Sequence, residues 1–268
     1  MISLLKADLY RILKSKLTYI SLAVMLLFPI VMVLLYYFLD LILVSQMADA
    51  EAEAMQITTL LSGRSLLSSV YSITQNAGLV VVVFGTIFIS MDVSNGTLRN
   101  KITVGHSRSK IYLSHFLATS IYNVVMITAY ALMTFLCACA ILKYGKQIDA
   151  AELKFLAQWL LAGTVMFIWI ASLASFFMLV FKNVALSIIF TIVLGMFITI
   201  AASLASGLLE YSWGSVVYFI PTMVSTLLNS PGYDIKWLYF LYQMLSYTVL
   251  ISLNCLLGIY LFKKHDIK

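Results

Sequence analysis

Charge is scarce in this sequence. Asp, Glu, Lys and Arg make up 10% of the 268 residues, against about 25% in an ordinary soluble domain. Hydrophobic residues make up 62%, and the mean hydropathy is +1.00. Such a composition cannot be wrapped into a water-facing globule, so the chain is an integral membrane protein. Catalytic signatures are missing too. There is no GxxxxGK[ST] phosphate loop, no HExxH and no GxSxG. The chain therefore does not bind ATP through a phosphate loop, and no nucleophile stands beside a base or metal ligands.

Other absences narrow the reading further. No Asp, Glu, Lys or Arg falls at the middle of an apolar segment. Proton- and ion-coupled transporters often carry such residues, so energy for uphill transport would come from outside the chain. The three cysteines (Cys137, Cys139, Cys255) lie in apolar segments without metal-ligand spacing. They read as small hydrophobes, and Cys137 and Cys139 point to different faces of a helix. The net charge of +6 fits loops facing anionic headgroups rather than nucleic acid.

Six segments are apolar over about the 20 residues that a span requires: 18–44, 70–91, 112–142, 155–181, 184–209 and 237–262. The expected fold is an all-α membrane domain covering residues 1–268, with Pro29 loosening the first span. Charge orients the array. With the N-terminus inside, the inner segments hold 12 of the 17 cations and three anions (Asp8, Asp92, Asp266), a net of +9. The outer segments then net −3. The flipped topology inverts this bias, so both termini are expected in the cytoplasm.

Residues 210–236 form an expected outer hairpin. Within it 215–229 is apolar but short, and Pro221 interrupts it. A span there would put the basic tail outside, so it reads as re-entrant or interfacial, with Trp213, Tyr218, Tyr233 and Trp237 at headgroup level. At the other end, residues 2–16 place Ile2, Leu5, Leu9, Ile12 and Leu13 on one helical face. This predicts an amphipathic helix over 1–17 lying in the inner interface. No small-residue cleavage site follows the first apolar run, which argues against a signal peptide.

Two spans carry polar or small residues at helical spacing. Ser65, Ser68, Ser69, Ser72, Gln75 and Asn76 form one stripe at the outer end of the second. Ser187, Thr191, Gly195, Thr199, Ser203 and Ser206 form another in the fifth. Small residues four apart let helices approach closely. The stripes serve either packing within one subunit or a subunit interface or solute path.

The substantial internal basic loop is 92–111, beginning DVSNGTLRNKITVGHSRSK. It holds Arg99, Lys101, Arg108 and Lys110, with Gly96 and Gly105 permitting sharp turns. A cytoplasmic loop with this chemistry, on a chain with little other soluble mass, is where a soluble partner would dock. His106, His115 and His265 read as exposed or interfacial residues at the same face.

Asp92 followed by Gly96-Thr97-Leu98-Arg99, then Ser107-Arg108 and Ile111-Tyr112-Leu113-Ser114, resembles the loop between the second and third spans of ABC-2-type permeases. These are the membrane subunits, of the type V fold, of bacterial ABC exporters. The resemblance extends over the whole chain. Asp92 stands where Glu is common, and His115 where Lys often follows the Ser.

The resemblance implies a permease in a bacterial cell membrane, without its own ATPase or cofactor, paired with a separate ATP- and Mg-binding subunit and a second permease copy or paralogue. It makes Asp92, Asn95, Gly96, Thr97, Leu98, Arg99, Asn100, Lys101, His106, Ser107 and Arg108 the ATPase-coupling helix, with the N-terminal helix beside it. Ser68, Ser72, Gln75, Asn76, Ser187, Thr191, Gly195, Thr199 and Ser203 become the path or dimer interface. Relatives of this size act in bacteriocin or lantibiotic immunity and peptide-antibiotic export, which makes an amphipathic peptide the expected cargo. A drug or lipid exporter is the alternative, and a membrane sensor or enzyme subunit is the alternative of another class.

Overall fold

A computed structural model describes residues 1–46, 67, 70–71, 76–94, 97–142, 149–208 and 237–264. Side chains are described within these except at 43–46, 76–77, 92–94, 99, 198–208 and 238–239. The outer hairpin at 210–236, the Ser68–Gln75 part of the second-span stripe, and Asn95 and Gly96 lie outside this description. Among the described residues every regular element is helical.

The elements in chain order are α1 (Ile2–Lys14), α2 (Lys16–Gln46), α3 (Asn76–Ser94), α4 (Thr97–Thr103) and α5 (Arg108–Cys137). A π-helical turn, Ala138–Leu142, extends α5. Then come α6 (Ala150–Phe181), α7 (Val184–Leu208) and α8 (Trp237–Lys264). Four stretches are long and apolar enough to cross a bilayer: Lys16–Ile42, Arg108–Leu142, Ala150–Phe181 and Phe240–Lys264. The described apolar parts of α3 and α7, Gly78–Met91 and Val184–Phe197, are shorter.

Local chemistry sets the helix ends. Asp149 caps α6, its Oδ1 accepting from the Glu152 backbone N–H at 2.8 Å, and Glu152 follows three residues on, as in a capping box. The turn between α6 and α7 is only two residues. Lys182 takes φ 51, and its N–H closes on Met178 O, the left-handed cap that ends many helices. Asn183 then caps α7, its Oδ1 accepting from Ala185 N at 2.9 Å. Ser15 separates α1 from α2 in extended conformation, and its hydroxyl accepts from Leu17 N at 3.3 Å.

α6 is the centre of the bundle: 61% of its most apolar window is buried, against 17% for α2. It packs against α8, α5, α7 and α3. Its Trp159, Met166, Phe167, Trp169 and Ile170 meet Tyr122, Ile127 and Tyr130 of α5, Val81 and Phe88 of α3, and Tyr247 of α8 in one core. α2 lies outside α5 and offers a single buried edge, Ser21, Met25, Pro29 and Val33, at four-residue steps. Pro29 sits on that edge inside a continuous helix. The outward faces stay apolar: Leu27, Val31 and Leu35 on α2, Val125, Leu132 and Leu136 on α5, Leu245, Val249, Leu253 and Leu256 on α8. Water does not tolerate such a continuous apolar mantle, whereas hydrocarbon does.

On α1 the edge packed against the bundle is Leu4, Asp8 and Ile12, while Ile2 and Leu13 of the expected apolar face are 84% and 62% exposed, as an interfacial helix would leave them. The packed edge includes an acid with partners waiting for it. One expectation needs correction: His115 is buried rather than exposed, and the same acid explains it.

Candidate functional site

The basic loop folds as a short helix followed by a tight reversal. α4 ends in a left-handed Gly105 at φ +94. Gly105 N–H donates to Ile102 O at 2.9 Å, and His106 N–H to Lys101 O at 3.3 Å. This pair of bonds is the Schellman arrangement. A Cβ at Gly105 would meet nothing within 4 Å, so the backbone angle, and not crowding, calls for glycine there. Chain direction then reverses into α5 at Ser107, which is extended at φ −65, ψ 141.

α4 has two unlike sides. On the inner side Leu98 is buried in a cluster with Leu4 of α1, Ile111, Tyr112 and Phe116 of α5, Ala171 of α6 and Phe262 of α8. Lys101 also turns inward. Its Nζ donates to Asp8 Oδ1 at 2.6 Å and lies 3.2 Å from His115 Nε2. On the outer side Asn100, Thr103 and Val104 are exposed, Val104 at 75%. Thr97 and His106 are half-buried, and Ser107 is exposed. The side chains of Asp92 and Arg99 lie outside the described residues.

Asp8 is the hub of the inner side, with only 2% of it exposed. One carboxylate oxygen takes the lysine. The other accepts from Ser114 Oγ at 2.6 Å and lies 3.9 Å from His115 Nδ1. Burial alone would raise the Asp8 pKa. Interaction with His115 and the bonds from Lys101 and Ser114 outweigh it and hold the carboxyl below its ordinary value. Burial works to lower the Lys101 pKa and exceeds the opposing pull of Asp8. Donation from the ammonium to Nε2 leaves the proton of a neutral ring on Nδ1, the side that faces Asp8. α1 is thereby fastened at one acid to α4 and the start of α5, about ninety residues further along the chain. Sequence reasoning placed Lys101 in the site but missed Asp8, Ser114 and His115. The signal was an acid on the helix otherwise richest in cations.

Arg108 also turns toward the chain. Its Nη1 donates to Phe262 O at 3.2 Å and to Lys263 O at 3.0 Å, at the end of α8.

The described part of the fifth-span stripe is enclosed by this chain. Ser187, Thr191 and Gly195 are buried where α7 packs on α6 and α3. Ser187 Oγ donates to Asn183 O at 2.7 Å, and Thr191 Oγ1 to Ser187 O at 2.7 Å. Ser187 Oγ also lies 3.5 Å from Met178 Sδ of α6, so these hydroxyls are engaged within the chain. The face that α7 turns outward is apolar, with Leu186, Ile189, Phe190 and Val193. The side chains of Thr199 and Ser203 lie outside the described residues, as does that of Asn76. A solute or second copy reaching the stripe would have to open the α6–α7 contact.

Apart from Glu152 at the start of α6, the other buried polar groups among the described residues are uncharged. Asn123 of α5 donates to Phe167 O of α6 at 3.3 Å. Asn254 of α8 donates to Ser172 Oγ of α6 at 3.0 Å, and Tyr122 to Ser21 of α2 at 2.8 Å. Among the described residues no group of His, Cys, Asp and Glu is arranged to hold a metal ion.

Comparison with known proteins adds one result. The family model described as ABC-2 family transporter protein matches residues 4–198, from α1 through most of α7. No curated protein matches the chain.

Proposed function

The chain belongs to the ABC-2 transporter family, as a multi-pass membrane component of an ABC transporter and not its ATPase, and from that premise we propose how it works. The family typically pairs its permease with an ABC ATPase subunit. We take the outer side of α4 as the surface on which that ATPase sits. The observation carrying this reading is the two-sidedness of α4. Its inner side is bolted to α1 and α5 through Asp8 and Leu98. Its outer side presents Asn100, Thr103 and Val104, which are exposed among the described residues. A push on such a helix moves the spans rather than the loop alone. ATP and Mg would be held by the ATPase, and two permeases would rock between inward- and outward-open states as its sites close.

In this reading the α4 face points to the cytoplasm of a bacterial cell, with both termini on that side. The cargo is an amphipathic peptide or peptide antibiotic. Support comes from the uncharged hydroxyl and amide groups between α5, α6 and α8, which suit a solute with both apolar and polar faces. A drug or lipid as cargo is the outcome against which transport assays would choose.

The test of docking is Val104→Glu. A carboxylate forced into an apolar contact costs at least about 2 kcal/mol, or roughly 30-fold in affinity. The tagged wild-type chain should co-purify an ATPase from its native membranes, and the variant should lose it while remaining in the membrane. Retention of the ATPase at wild-type levels would remove α4 from the interface.

A further inference from the structure

Arg108 occupies an unfavourable place on its own helix. It is the first residue of α5, where the helix dipole is positive and a cation is disfavoured. The guanidinium does not stay there. It crosses to the C-terminal end of α8 and donates to two carbonyls, Phe262 O and Lys263 O. The last carbonyls of a helix lack intrahelical partners, and the dipole there is negative, so this is where a cation is stabilised.

Two further contacts close the same junction. Phe262 is 5% exposed and shares a cluster with Leu98 of α4. Four residues earlier, a Cβ added at Gly258 would lie 2.3 Å from Tyr112 Oη and 2.5 Å from its Cζ. The tyrosine ring of α5 therefore rests directly on the backbone of α8, where any side chain would exclude it. Polar, apolar and close-backbone contacts thus coincide at the inner end of α8.

We infer that Arg108 is a latch: it fastens the cytoplasmic end of the last span to the α4–α5 unit, so that a displacement of α4 is delivered to α8 together with α5. Arg108 is then a positioning residue inside the permease and not a contact for the ATPase. The inference rests on the reading of α4 as the docking helix for its mechanical consequence. The fastening itself is independent of that reading.

The experiment is a spin-label distance measurement in the full chain, reconstituted in nanodiscs with its co-purifying ATPase. Labels go on cysteines at Lys110 of α5 and Lys264 of α8, both exposed and neither on the docking face of α4, with Cys137, Cys139 and Cys255 replaced. The wild-type background should give one narrow distance distribution that ATP binding leaves unchanged. Arg108→Gln should broaden it about two-fold or more while ATPase co-purification is retained. Arg108→Lys, which keeps a cation within reach of the same carbonyls, should largely restore the narrow form. The latch is overturned if Arg108→Gln superimposes on wild type, or if the wild-type distance changes on ATP binding. Loss of ATPase co-purification in Arg108→Gln with an unaltered distribution would overturn it too, by making the residue a partner contact. If the wild-type chain captures no ATPase, the docking reading fails by itself, and the nucleotide-free comparison of wild type, Arg108→Gln and Arg108→Lys still decides the latch.

Discussion

Removing one partner of the Asp8–Lys101 pair should be more damaging from the lysine side. Asp8 has a side chain 3% exposed and Lys101 one 17% exposed, at 2.6 Å. In Lys101→Met a carboxylate remains deep in the α1–α5 seam with only Ser114 and His115 to bind it. Stranding one member of a buried pair costs about 3–5 kcal/mol. In Asp8→Asn the lysine keeps a route to water along its stem, and the amide oxygen can still accept from Ser114. A loss of about 1–3 kcal/mol is expected there, the range for a removed hydrogen bond with a partly solvated partner. The double variant should recover at least half of the Lys101→Met loss, because no charge is left stranded.

Acid distinguishes the two states of Asp8. In the wild-type chain the carboxyl is held below its ordinary value. Its contribution to stability is fully present above the ordinary pKa and is lost only as pH falls through the lower, folded value. In Lys101→Met the lysine no longer opposes burial, so the folded pKa of Asp8 moves up from its wild-type position and the stability gap between variant and wild type narrows as pH falls into the carboxylate range. Thermal unfolding in detergent at pH 7 and pH 5 measures both effects. The asymmetry fails if Asp8→Asn is the worse of the two single variants. The buried-pair argument fails if Lys101→Met unfolds with wild type at both pH values.

Three further outcomes follow from the packing. Gly163 lies under the Tyr71 ring, with an added Cβ 2.2 Å from its Cζ, so Gly163→Ala should displace Tyr71 from Trp159 and lower thermal stability by about 1–3 kcal/mol, whereas Gly105→Ala, in open space, should cost only the roughly 1–2 kcal/mol of its backbone angle. Gly195→Leu overpacks the buried face of α7 and should lower transport while leaving ATPase co-purification at wild-type levels, because the contacts of α4 run chiefly to α3 and α5; normal transport in that variant would show that the α6–α7 contact can absorb the added bulk. A cysteine at Asn100 should label with membrane-impermeant reagent only in inverted vesicles, and labelling in intact cells would reverse the assigned orientation.

The long elements were legible because their signal is additive. The apolar segment expected at 155–181 lies within α6, and those expected at 184–209 and 237–262 nearly coincide with α7 and α8. Each rests on some twenty residues of one character, so no single residue decides the outcome. The tight turn at Lys182–Asn183 was legible to within a residue because a cation and an amide interrupt two apolar runs. Less was legible wherever a few residues decide the geometry. The π turn at Ala138–Leu142 lies inside the apolar segment expected at 112–142, but its change of winding follows a sequence as apolar as the helix before it. The stripe Ser187–Thr191–Gly195 was read at the correct spacing, but spacing fixes a face and not its neighbour. Burial against α6 and α3 came only with the assembled bundle.

Asp8 shows why the centre of the site stayed hidden. On a helical projection an acid four residues from Leu4 and four from Ile12 looks like an interruption of an apolar edge, and the rule that charge faces water turns that edge outward. The rule fails when the charge has partners in place, because a buried carboxylate is tolerated once its oxygens are bonded and a counter-charge is adjacent. Lys101 and Ser114 lie 93 and 106 residues away in sequence, so no local pattern can announce them. The weaker cue was compositional. Asp8 is the sole acid between Met1 and Asp40, on a helix whose surroundings favour cations. An acid on so cationic a helix is stabilised by something specific. In this fold the something is the inward lysine of α4, the residue that the basic loop offered as one of its four cations and that the structure alone turns away from the exposed side of the helix.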